Sequence, residues 1–328
     1  MDSICPANPC HYQAINIYII NRVRQLKLKY IVDSQSSGKT VKYILKNKLE
    51  LSERLIKRLK YSGNIFCNST PVFVNATVNP GDIVEASVDF TEEENDIAPE
   101  KMDLDIVFED DGMIVINKRP NTVVHPTSYH QSGTIANGIV YYMKQKGMSK
   151  KVRPVSRLDR DTSGLIIFAK NEFIQESLVR QMASGSFIKK YIGIVHGSVK
   201  EETGTINLPI ARMPGSIMQR HVSPDGAPSV THYKVIERLS NATCLEFRLE
   251  TGRTHQIRVH CQAIGHPLIG DSLYPGTGSN AYENQPLIER QALHSHTVRF
   301  VHPVDKTEMH LTAPLPEDMS KLLEILRK

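Results

Sequence analysis

Asp159 stands between Arg157 and Arg160 in residues 153–168, RPVSRLDRDTSGLIIF, and leads through Thr162, Ser163 and Gly164 into an apolar run. Opposite charge on both sides favours the ionised form of a carboxylate. An ionised carboxylate on a tight turn before a buried strand can act as a nucleophile or a base. It can equally be half of a structural Arg–Asp pair, and residue type alone favours that plainer reading. Three further islands carry reactive side chains. Lys189-Lys190-Tyr191 opens a strand-like run, where a tyrosine most often packs but can offer a face for a base to stack on. Residues 250–260, ETGRTHQIRVH, crowd Arg253, His255, Arg258 and His260 together, with Ile257 and Val259 spaced to face a core. Residues 264–274, IGHPLIGDSLY, form a Gly- and Pro-punctuated loop, and Ala292 to His296 follow later.

Other chemistries find no support. The histidines lack zinc-ligand spacing, and no HExxH helix exists. Gly38-Lys39-Thr40 imitates the end of a phosphate-binding loop, but Asp33 stands where its first glycine belongs. No GxSxG elbow or Cys–His pattern points to acyl transfer. Cys5, Cys10, Cys67, Cys244 and Cys261 are an odd and scattered set, which argues against a disulfide framework and for a reducing cytoplasm. No apolar run reaches bilayer-spanning length, and the N-terminus lacks the basic region of a secretory signal.

The elements that would hold these islands can be read along the 328 residues. Residues 1–28 look like a tail. Residues 29–90 carry two helical segments: residues 39–48, and a second one capped by Ser52 with Leu55, Ile56 and Leu59 as its apolar stripe. Short strands follow at 64–68, 71–74 and 82–88. Charge is uneven: residues 22–60 hold twelve Lys and Arg against three acidic residues, while residues 91–100 are TEEENDIAPE. A basic face followed by an acidic, proline-containing linker (91–103) suits a polyanion-binding module as well as it suits a merely solvated surface. From residue 104 the pattern is a hairpin at 104–117, then strands at 165–169, 190–195, 230–239 and 243–249. Helices are expected at 134–144, 173–182 and 317–327. Many strands without a βαβ cadence predict an α+β domain on a mixed, mainly antiparallel sheet with flanking helices.

Two resemblances follow from these runs. SERLIKRLKYSGNIFCN, residues 52–68, resembles the S4-type RNA-binding domain, which makes Arg54, Lys57, Arg58 and Lys60 candidate phosphate contacts. Residues 104–314 resemble the pseudouridine synthases of the RluA, RluC and RluD type, with the RLDxxTSGL signature as RLDRDTSGL at 157–165. DDGMIVINKRPNTVVHP, KKYIGIVHG, ETGRTHQIRVH, GHPLIGDSLY and ALHSHTVRFVHP stand around it in family order. The resemblance implies isomerisation of uridine to pseudouridine in structured RNA without metal or organic cofactor; the basic N-terminal domain puts rRNA ahead of tRNA, and a cytoplasmic monomer is expected. The C1′–N1 bond breaks, uracil rotates, C1′–C5 forms and a proton leaves C5. It further implies Asp159 as catalytic carboxylate, Arg258 as its ion-pair partner, and Tyr191 as the stacking ring and base for the C5 proton. Arg157 would fill the gap left by a flipped base, and Ile257 would floor the uracil. Arg253 and His255 complete the substrate-binding candidates. Ser156 stands where many members carry His before the signature. A non-catalytic RNA-binding protein of the same fold, and a hydrolase using Asp159, are the rival readings; a hydrolase would want a second carboxylate, and Asp161 is the only near neighbour.

Overall fold

The computed structural model describes residues 26–89, 96–276 and 288–328. Most of the expected tail and positions 91–95 of the acidic stretch therefore lie outside the described residues. Strand β1 (Lys27–Ile31) starts inside the segment read as tail, with Leu28 turned inward and Lys27 and Lys29 outward. Helices α1 (Val41–Asn47) and α2 (Glu53–Tyr61) are capped by the Thr40 and Ser52 hydroxyls, which accept hydrogen bonds from the Tyr43 and Leu55 amides. Strands β2 (Ile65–Cys67), β3 (Thr70–Pro71) and β4 (Ile83–Ser87) complete a sheet in the order β1-β4-β2-β3. Its strands are shorter than the runs expected from sequence; β3 stops at Pro71, whose ring nitrogen has no proton to donate to a ladder.

The larger unit contains β5 (Ile106–Glu109), β6 (Met113–Lys118), α3 (Ile135–Gln145), β7 (Arg153–Pro154), β8 (Ser163–Ala169), α4 (Glu172–Ala183) and β9 (Ile188–His196). It continues through β10 (Thr203–Asn207), β11 (Ile210–Arg212), β12 (Arg220–Val222), β13 (Val230–Arg238), β14 (Ala242–Leu249), α5 (Gln256–Ala263), β15 (Leu293–Val301), β16 (Glu308–Thr312) and α6 (Glu317–Leu326). Ten strands form one sheet, β10-β13-β14-β9-β15-β8-β6-β5, with β16 on β15 and β7 on β8. Among the described residues of this sheet β15 and β8 run parallel, and the other pairs are antiparallel. The expected α+β architecture is therefore the observed one.

Period-two alternation divides the core. Ile114, Ile116, Ile166, Tyr191 and Phe247 pack with Ile135 and Ile139 of α3 and Ile257 and Cys261 of α5. On the other face, Ile192, Ile194 and Cys244 meet Met319, Leu322 and Leu326 of α6. Also on that face, Val115, Leu165 and Ile167 join Phe173, Ile174 and Leu178 of α4 in a cluster that runs on into Leu55, Ile56 and Leu59 of α2. The N-terminal unit thus shares a continuous apolar core with the sheet domain. The β11–β12 hairpin stands apart from the large sheet and closes over α5 through Ile210, Val259 and Tyr274.

Candidate active site

The Asp159 turn is built by close strand approach and then pinned from behind. Gly164 has φ +105°, and a Cβ there would stand 2.2 Å from the Ser295 carbonyl oxygen, so only glycine lets β8 lie this close to β15. The Thr162 amide donates to the Asp159 carbonyl at 3.1 Å, closing the turn. Lys118 is fully buried and gives its ammonium protons to the carbonyls of Arg119, Thr122 and Arg160, at 2.9, 3.0 and 2.7 Å. Burial lowers its pKa to about 7, and the nearby Asp161 charge opposes that fall. Arg290 donates to the Asp161 carbonyl at 3.0 Å while Asp318 grips its other nitrogens at 2.7 and 2.9 Å. Gln291 donates to the Thr162 hydroxyl at 3.1 Å. Three successive residues after Asp159 are thereby held by buried donors.

The opposing wall is helix α5. Its entry is locked by the buried Gln256, whose amide donates to Val230 O and Thr231 Oγ1 and accepts from the Arg253 amide and the Thr251 hydroxyl. His255 adopts the left-handed region (φ +58°), an uncommon state for a residue with a Cβ, and its Nδ1 lies 2.8 Å from the Tyr274 hydroxyl. Burial lowers the His255 pKa. The segment 256–260 is helical, so Ile257 and Arg258 reach the cleft from one short element.

Asp159 Oδ2 accepts from Arg258 Nη1 at 3.2 Å, and His255 Nε2 is 3.9 Å from Asp159 Oδ1. Arg258 is gripped from behind by Asp271, at 2.7 Å through Nε and 2.8 Å through Nη2, and its guanidinium lies 5.0 Å from the Tyr274 ring centre. Burial works against the Arg258 charge, but the Asp271 hydrogen bonds and the charges of Asp271 and Asp159 outweigh it and raise its pKa. Asp271 is itself oriented by the Leu273 and Tyr274 amides. The Tyr191 phenol is held protonated, first by burial and then by the Asp159 charge. An open cleft has Arg157, Asp159, Tyr191, Arg253, His255 and Arg258 in its lining.

The sheet and α5 therefore bring together Asp159, Arg157, Tyr191, Arg253, His255, Ile257 and Arg258. Arg157 is exposed at the rim, with Nη2 3.4 Å from the Thr254 hydroxyl, and Arg253 Nε donates to Pro228 O at 3.3 Å. Asp161 turns aside to Arg160 at 3.1 Å. The four basic residues of α2 lie away from this cleft. Lys57 and Lys60 are exposed, while Arg54 and Arg58 both pair with Glu172 of α4, Arg54 at 2.8 Å. Sequence reasoning missed Asp271, Tyr274, Lys118, Arg290 and Gln256. For Asp271 a signal was present: the GHPLIGDSLY loop carries one carboxylate, and a buried arginine needs more than one shared carboxylate oxygen.

Against known proteins, a model of the RNA pseudouridylate synthase family matches residues 112–263, which span both walls of the cleft. An RNA pseudouridine synthase of Bacillus subtilis, the uncharacterized YjbO, is 41% identical over 279 residues, covering 84% of this chain and 95% of that one. The chain belongs to the RNA pseudouridine synthase family. It is similar also to the ribosomal large subunit pseudouridine synthase D of Pasteurella multocida, 40% identical over 259 residues, 77% of this chain and 79% of the relative. In fold, human RNA pseudouridylate synthase domain containing 4 superposes with a TM-score of 0.56 at 22% identity, over 68% of this chain and 92% of that chain. The RNA pseudouridine synthase assignment gives the cleft its substrate class: a uridine within RNA. Among the described residues no helix is long and apolar enough to cross a membrane.

Proposed function

We propose that this RNA pseudouridine synthase acts on uridines of large-subunit ribosomal RNA, as the name of its Pasteurella relative states for that protein, and that Asp159 is the catalytic carboxylate. The observation that carries the proposal is the chain Asp159–Arg258–Asp271. It fixes one carboxylate oxygen at the cleft and leaves the other, Oδ1, facing His255 at 3.9 Å. A carboxylate preorganised by a buried guanidinium is ready to engage the nucleotide without reorganising at the moment of reaction.

The neighbours divide the remaining work. Tyr191, protonated and buried among apolar side chains, offers its ring to the uracil and, as a neutral phenol, takes the C5 proton only by passing on its own. Ile257 floors the base. Arg157, exposed beside the cleft, replaces the extruded uracil in the RNA stack, where unpairing costs a few kcal/mol. Arg253 and His255 flank the entering nucleotide. Residues 29–90 form an S4-like RNA-binding unit, and the enzyme works as a cytoplasmic monomer that approaches RNA through Lys57 and Lys60 as well as through the cleft.

The test is to incubate wild-type and Asp159→Asn protein with 23S rRNA fragments and tRNA transcripts and to map pseudouridine. New pseudouridine in rRNA with wild type and none with the variant is expected. Modification of tRNA alone would overturn the rRNA assignment, and an active Asp159→Asn protein would overturn the role of Asp159.

A further inference from the structure

Tyr191 has a second neighbour that none of the chemistry above employs. Lys189 lies two residues earlier on β9, hence on the same face of the sheet. Its Nζ is 5.3 Å from the Tyr191 ring centre and 3.3 Å from Ser156 Oγ. Ser156 immediately precedes Arg157, and Lys189 contacts Tyr191, so each adjoins a residue that lines the cleft on the side where the signature loop begins.

What distinguishes Lys189 is the absence of a counter-charge. Lys190 pairs with Glu246 at 2.9 Å, Lys170 with Glu109 at 2.8 Å and Lys150 with Asp89. Among the described residues no carboxylate pairs with Lys189. Burial alone brings its amine down to about 7. Lys118 is lowered to a similar level, but its three protons are all taken by backbone carbonyls. Lys189 has one side-chain acceptor, the Ser156 hydroxyl, and an ammonium carries three donors, so two remain open. Lys189 is half-buried, and a cation partly withdrawn from water with no counter-charge gains from an anion that reaches it. Lys189 lies over the Tyr191 ring and beside the residue that begins the signature loop, and an enzyme that extrudes a base has to hold the backbone on either side of it.

The geometry points to a phosphate-binding subsite: Lys189 Nζ and Ser156 Oγ together hold an RNA backbone phosphate next to the target uridine. This rests on the reading that the uridine enters beside Asp159. Phosphate supplies the counter-charge that the protein lacks, and the hydroxyl adds a second donor. The interaction sets the depth of the nucleotide over the Tyr191 ring and carries no base sequence information of its own.

The experiment compares wild type, Lys189→Met and Lys189→Arg on an RNA fragment that wild type binds, measuring Kd across a series of KCl concentrations. With one phosphate no longer neutralised, the slope of log Kd against log salt should fall by about 0.7–0.9 in Lys189→Met, while Lys189→Arg keeps the wild-type slope. Melting of Lys189→Met should be at or above wild type, since an unpaired cation is replaced by an apolar chain. A series of fragments with single methylphosphonate linkages should contain one linkage that weakens wild type and leaves Lys189→Met unaffected. An unchanged slope in Lys189→Met, above all with a lowered melting temperature, would overturn the site and make Lys189 a packing residue. If no fragment is pseudouridylated by wild type, the functional reading fails by itself, and the slope comparison still decides the subsite.

Discussion

Arg258 cannot hold Asp159 in place by itself, because a guanidinium joined to a single carboxylate oxygen at 3.2 Å is free to swing about that one hydrogen bond. Asp271 removes the freedom by a two-point grip, and its side chain is only 1% exposed. Bidentate Arg–carboxylate pairs add geometry as well as energy. Asp271→Asn keeps the shape and still accepts from the Leu273 and Tyr274 amides, but it loses the charge and one acceptor. The expected result is a fall in the single-turnover rate of about 10²-fold, the scale of a misplacement near 1 Å, with RNA affinity little changed. Single-turnover pseudouridine formation measures it, and a wild-type rate would show that Asp159 alone orients Arg258. Asp271→Ala, which strips a buried arginine of its partner, is expected to lower stability by about 3–5 kcal/mol in denaturant titration.

At the scale of elements, two turns on strands that flank β8 are joined by one titrating side chain. His302, just after β15, has Nε2 2.8 Å from Asp110 at the β5–β6 turn and Nδ1 2.8 Å from Asp305. The Asp110 carboxylate beside it leads the causes that raise its pKa above the usual value of 6.5. A group with a raised folded pKa contributes its stability fully below 6.5 and loses it as pH climbs through the folded value. The stability advantage of wild type over His302→Gln should therefore be larger at pH 5.5 than at pH 8.5 in denaturant titrations, and a difference that does not vary with pH would mean the link does not depend on protonation. This pairing was not legible in the sequence, and the reason is general. The Asp159, Tyr191 and Arg258 islands were legible because each carries its chemistry within a few consecutive residues. The capped helices α1 to α4 were legible from local spacing. Lys118 and Arg290 act through tertiary contacts with the Asp159 turn, and nothing local marks them, while Asp271 was marked only as the single carboxylate of its loop, with its partner Arg258 set by the fold. The β11–β12 hairpin went unseen for the same reason: a three-residue strand has no period to detect, and its partner is chosen by register.

Across the whole molecule, the N-terminal unit is docked on the sheet domain, and that divides the basic residues of α2 into two kinds. Glu172 is nearly buried on α4 and pairs with both Arg54 and Arg58, while the Ser52 hydroxyl donates to Glu176 at 3.0 Å on the same helix. The apolar seam of α2 against α4 carries most of the docking, because partly exposed ion pairs are worth little by themselves. Any RNA phosphate that reaches Arg54 or Arg58 must displace Glu172, so RNA binding and docking draw on the same two guanidiniums. Lys57 and Lys60 face outward and make no such exchange. Replacing both lysines by Ala should flatten the salt dependence of RNA binding by about 0.7–0.9 for each phosphate that a lysine neutralises in wild type. Glu172→Gln should do the reverse: it removes the carboxylate charge that Arg54 and Arg58 share while the apolar seam stays intact, so affinity at low salt rises and the slope steepens. Fluorescence titration with a 23S rRNA fragment across a KCl series reads both effects. A slope in Glu172→Gln equal to that of wild type would mean that Arg54 and Arg58 serve the docking seam alone, and that the RNA path over the N-terminal unit runs along its lysines.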